Sequence, residues 1–89
     1  MEKIIRCSYN KDADELNISL GKPQKAISLE VANEVYVRLH PKTKQILGFT
    51  ILHFEERAVK EKKTFTLPLS ADFKLSKPVK EPSRHLVAS

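Results

Sequence analysis

The sequence predicts a mainly β domain: a small antiparallel β-meander sheet of four to six strands, with at most one short helix near residues 54–63. Three observations carry this expectation. Five stretches alternate apolar and polar residues with a period of two, as a sheet with one dry and one wet face requires. Turn-forming residues separate most of these stretches. The segment that suits a helix is too short and too polar to cover a sheet alone.

The first strand is expected from about Lys3 to Tyr9, with Ile5, Cys7 and Tyr9 on one face. Asn10-Lys11-Asp12-Ala13-Asp14 breaks the pattern with residues whose short side chains bond their own backbone. A second strand, Glu15 to Leu20, then completes a hairpin, with Leu16, Ile18 and Leu20 facing inward. Gly21-Lys22-Pro23 closes it. Ile27, Leu29 and Val31 follow, and Val35, Val37 and Leu39 continue in the same parity. This is either one long bent strand or two strands broken at Asn33, a residue that tolerates positive φ; a break or bulge there is the favoured reading.

His40 to Gln45 reads as a second hairpin loop, because Pro41 cannot donate to a ladder. Ile46 to Leu52 is apolar on both faces, which argues for a central or doubly covered strand, and Gly48 within it signals a bulge or a close neighbour. Phe54 to Lys63 is compatible with two or three helical turns. Phe65, Leu67, Leu69, Ala71, Phe73 and Leu75 then alternate without a break, yet Pro68 in their midst demotes the stretch to an edge or an extended arm. The domain is therefore expected over residues 1–76, including an arm at 64–75, with a flexible basic tail at 77–89.

Eighty-nine residues hold one domain, and one this small is often marginal without a staple. Cys7 is the single cysteine, so no internal disulfide forms, and His40, His53 and His85 lack metal-ligand spacing. A one-sided sheet without a large helix is short of cover, so a homodimer or higher oligomer, with a second subunit or an exchanged arm on the dry face, is expected. The N-terminus has no apolar signal core and no run of about 18 apolar residues exists. The expectation is a cytoplasmic protein without membrane contact.

The chain has a formal net charge of +5, unevenly placed. Residues 1–58 carry nine Lys/Arg against eight Asp/Glu, whereas residues 59–89 carry seven against three. The basic set is Lys60, Lys62, Lys63, Lys74, Lys77, Lys80 and Arg84, a candidate for phosphate contact. Aromatic residues do not interleave with it as a single-strand-binding groove requires, and a solvated end explains it as well.

Tyr9-Asn10-Lys11-Asp12-Ala13-Asp14-Glu15-Leu16-Asn17-Ile18 resembles the opening of the small prokaryotic family known as domain of unknown function 2283. Members begin with a strand ending in Tyr, an acidic Ala-Asp loop and a Leu-x-Ile strand. Ile46-Leu47-Gly48-Phe49-Thr50-Ile51-Leu52 is similar to the family's final strand, with Gly between aliphatic residues. The likeness covers about residues 4–58. The family often has a glycine in the turn near Ala32-Asn33-Glu34, and this chain has none there. The resemblance implies no catalytic residues. It does imply partner binding of an antitoxin-like kind, since some relatives look as if they are encoded beside small toxin-like proteins.

Residue chemistry points the same way. Asp12, Asp14 and Glu15 gather carboxylates, but the spacing of a calcium loop is missing, so no metal or other cofactor is expected. Cys7 is expected in the core as an inert thiol, and His53 at the end of the dry face with Phe49 and Ile51. Neither a phosphate loop nor a nucleophile elbow is present, which argues against an enzyme. The candidate interaction residues are Phe65, Leu67, Leu69, Phe73 and Leu75 on the arm, with Tyr36, Arg38 and His40 on the wet face of one strand. The expected role is a non-catalytic protein-interaction domain, with nucleic-acid binding through the basic residues as the alternative.

Overall fold

The computed structural model describes residues 4–61 and 64–77. Five strands form one antiparallel sheet: β1 (Ile5–Asn10), β2 (Glu15–Leu20), β3 (Ile27–Ala32), β4 (Val35–Leu39) and β5 (Ile46–Leu52). The mainly β class and the antiparallel sheet are as the alternation requires. The path departs from a plain meander in one step. The strand order is β1-β2-β5-β4-β3, so the chain leaves β2, crosses to the far edge and returns through β4 to place β5 beside β2. Strands β2 to β5 thus make a Greek key, with β1 added by a hairpin.

Register puts one set of apolar residues on one face. Ile18 opposes Phe49, Leu16 opposes Ile51, and Val35 and Val37 on β4 oppose Ile51 and Phe49 in turn. Val35, Val37 and Ile51 are buried here. Leu47, the fourth buried apolar residue, lies with Arg38 and Asn17 on the opposite face, under the crossing segment of Lys22, Pro23, Gln24 and Ala26. That accounts for β5 being apolar on both sides: it is central, and both its faces are covered.

Two turns correct the expected backbone. The break between β3 and β4 occurs as expected, but the left-handed residue is Glu34 (φ 62°) and not Asn33. A bulge between Glu30 and Ala32 shifts the register and moves the positive φ one residue on. The helical segment covers residues 54–60: Arg57 N–H donates to His53 O at 3.1 Å, and Glu56–Lys60 is a π turn in which Glu61 N–H donates to Glu56 O at 2.9 Å. Two or three regular turns do not form.

The arm keeps its alternation without forming a strand. Phe65, Leu67 and Leu69 are half-buried, whereas Thr64, Thr66, Pro68 and Ser70 are exposed. The arm starts where Phe65 meets the Arg57 guanidinium, 5.8 Å from its ring centre, and ends beside Ile5 and Leu20. It therefore lies across the dry face of its own sheet. From Ala71 on it is exposed. Of the expected tail, only Lys77 belongs to the described residues.

Candidate interaction surface

The arm and sheet enclose an apolar groove of about 490 Å³, with Ile5, Ile18 and Phe49 on the sheet side and Leu67, Leu69 and Phe73 on the arm side. This groove unites three of the five expected arm residues, Leu67, Leu69 and Phe73. Phe73 and Leu75 are about three-quarters exposed (76% and 73%). Cover is incomplete elsewhere too: Ile27 and Leu29 on β3, and Ile46 on β5, are exposed apolar side chains.

The wet face is organised around Arg38. Its Nη1 donates to Thr50 Oγ1 at 2.6 Å and to Asn17 Oδ1 at 3.5 Å; its Nη2 donates to Ile18 O at 2.8 Å and Ser19 Oγ at 3.2 Å. The guanidinium reaches from β4 across β5 to β2, and Gly48 is what it crosses. A Cβ at Gly48 would collide with Arg38 Nη2 and with Ile18 O. Both Nη groups are thus engaged inside the sheet, which leaves no paired fork for a phosphate or a base edge. Tyr36 stays half-buried on the same face, opposite Thr50 and Glu30. His40 turns to its own loop, where Nδ1 accepts from Lys42 N at 3.1 Å and Thr43 N at 3.2 Å. The expected trio therefore does not converge on one outward site.

At the opposite end of the strands lies a polar clasp that sequence reasoning missed. Asp14, itself left-handed (φ 52°), accepts from Tyr9 Oη at 2.7 Å and from Glu55 N at 2.8 Å. The Glu55 N–H, followed by the Tyr9 hydroxyl, holds the Asp14 carboxyl below its ordinary value. In return the bond to Asp14, followed by desolvation and the charges of Asp14 and Glu55, pushes Tyr9 up to about 12. Tyr9 also meets Phe54 edge to face, ring centres 6.1 Å apart.

Next to this clasp the Glu34 carboxylate engages His53 Nδ1 and lies 3.6 Å from Arg57 Nη2. Arg57 also donates to Asn33 O at 2.6 Å. His53 does not sit on the dry face: a φ of 52° turns the chain out of β5 there, and its side chain is 55% exposed. The adjoining hollow is lined by Asn33, Glu34, His53, Glu56, Arg57 and Glu61. It contains no hydroxyl or thiol nucleophile. Among the described residues no group of three His, Cys, Asp or Glu side chains gathers to hold a metal ion.

Cys7 is a further correction. It is exposed, on an edge strand that the arm meets at Ile5. Of the basic residues, Lys60, Lys74 and Lys77 are exposed. Lys62, Lys63, Lys80 and Arg84 lie outside the described residues.

Fold and surface together define a five-stranded antiparallel β domain with a partly covered apolar face and a C-terminal arm laid across it. Comparison with family models, curated proteins and solved structures returned no match. Among the described residues no helix is long and apolar enough to cross a membrane.

Proposed function

We propose that this chain is a non-catalytic protein-interaction domain that associates through its apolar sheet face and its arm. The observation that supports the reading is the half-docked arm: Phe65 to Leu69 pack on the sheet, while Phe73 and Leu75 carry large apolar surface into solvent. Two apolar aromatic or aliphatic anchors at the end of an extended segment suit strand addition or groove docking on a partner. The resemblance to domain of unknown function 2283 adds an antitoxin-like role, with a small protein encoded alongside as the heterologous partner.

The test is co-expression of the full chain with the product of the adjoining reading frame. The expected result is a stoichiometric complex that survives purification and is lost when Phe73→Ser and Leu75→Ser are combined. A complex untouched by that pair removes the arm from the reading. If no complex forms and mixed nucleic acid is retarded with a steep salt dependence, binding through Lys60, Lys74 and Lys77 replaces it.

A further inference from the structure

The two edges of the sheet are unlike. On β3 the edge is interrupted by the bulge at Glu30/Ala32 and carries a carboxylate, Glu30, both of which discourage pairing. On β1 the register to β2 runs unbroken from Ile5 to Asn10, all six residues are exposed, and neither proline nor bulge interrupts the strand. Natural sheets rarely leave such an edge unpaired.

The phase of the ladder shows which groups face out. Gly21 N–H donates to Ile4 O at 2.9 Å, so Ile4, Arg6, Ser8 and Asn10 turn their backbone groups toward β2. Ile5, Cys7 and Tyr9 therefore present theirs to the open edge. These are also the residues whose side chains lie on the dry face. The arm ends at the same place, because Ser70 to Lys74 and Ser76 line a hollow with Ile5 and Leu20. Exposed Ile5 of β1 and exposed Phe73 of the arm thus adjoin at the start of the strand.

We propose that β1 is a self-association edge, on which a second copy of this chain adds its own β1 in antiparallel orientation, with Cys7 opposite Cys7 of the second copy. This deepens the interaction reading by naming one partner and its register. Three properties select a second copy in that register. Ile5 falls opposite Tyr9 of the other copy, so the dry faces continue from one sheet into the next. All outward N–H and C=O groups of Ile5, Cys7 and Tyr9 are then satisfied, and a shift by two residues leaves some of them without a partner. Arg6 faces Ser8 of the second copy, so no like charges oppose each other. The two-fold closes the contact, so the assembly stops at a dimer.

The experiment measures the mass of the full chain by light scattering at about 100 µM, for wild type, Cys7→Lys and Cys7→Pro. Lysine would set two like charges opposite each other, and proline would remove an outward N–H that β2 does not use. Wild type is expected at twice the chain mass, and both variants at the single mass, with self-association weakened by about 100-fold or more. Circular dichroism checks that each variant keeps its sheet. Diamide supplies the register: it takes two electrons and two protons from a pair of Cys7 thiols, and the expected product is an S–S dimer of the folded wild type. Opposed Cα atoms about 5.5 Å apart suit that bond. A wild-type monomer overturns the proposal, as does a dimer that resists both substitutions or fails to cross-link. A wild-type monomer that still captures the heterologous partner overturns the self-association edge and leaves the interaction reading standing, whereas a wild-type dimer without capture does the reverse.

Discussion

Arg38 lies across Gly48, and the glycine is what lets the guanidinium pass from β4 over β5 to the Ile18 carbonyl on β2. Three strands are tied together by one side chain on the wet face. Gly48→Ala is expected to destabilise the domain by about 1–3 kcal/mol, because a methyl group has no room between a backbone oxygen and a bonded guanidinium. A denaturant midpoint that does not fall would contradict the contact.

Replacing the fork tests the same tie from the other side. Arg38→Lys keeps the charge but cannot reach Thr50, Ile18 O and Ser19 together. The expected cost is about 1–3 kcal/mol, that of losing charged hydrogen bonds in a half-buried place. An unfolding curve superimposable on that of wild type would show that the tie contributes nothing.

Glu34 carries a left-handed backbone at the β3–β4 turn, where glycine would be unstrained. Glu34→Gly and Glu34→Ala both remove the carboxylate from His53 and Arg57, but only the alanine keeps the strain. The glycine variant is expected to be more stable than the alanine variant by about 1 kcal/mol. Equal thermal midpoints for the two would remove backbone strain from the account.

The Tyr9–Asp14 bond sets opposite pH limits on stability. Asp14 is held below its ordinary value of 3.8 in the folded chain, so its contribution is present above that pH and fades as the pH falls through the lowered value. Tyr9 is raised from 10.0 to about 12, so its contribution is full below pH 10 and is lost as the pH climbs through 12. In Tyr9→Phe the alkaline loss between pH 10 and 12 should vanish from unfolding measurements. If the variant and wild type lose stability equally over that range, the bond is not its source.

Much of the fold was legible because alternation is a local property. Glu15 to Leu20 needed only its own parity to be read as a strand, and parity with Pro68 marked 64–75 as an extended arm, though not that Leu67 and Leu69 lie on their own sheet. Gly48 announced a close neighbour, though not that the neighbour was Arg38. The polar clasp was hidden, since Glu55 joins Asp14 and Tyr9 only through bonds spanning 41 and 46 residues. His53 shared parity with Ile51, but parity ceases to apply once a left-handed residue turns the chain.

By itself, then, the sequence determined that this protein is a one-sided antiparallel sheet with an apolar arm, because the side-chain period of a strand leaves no other use for such a pattern. Which strands adjoin was decided only in three dimensions. The return of β5 to β2 depends on pairing between segments some thirty residues apart in register, such as Asn17 with Thr50. That pairing made β1 and β3 the edges, and left Cys7 exposed on a strand bonded on one side only. The open strand is a property of the strand order, and no residue in it distinguishes it from a covered one.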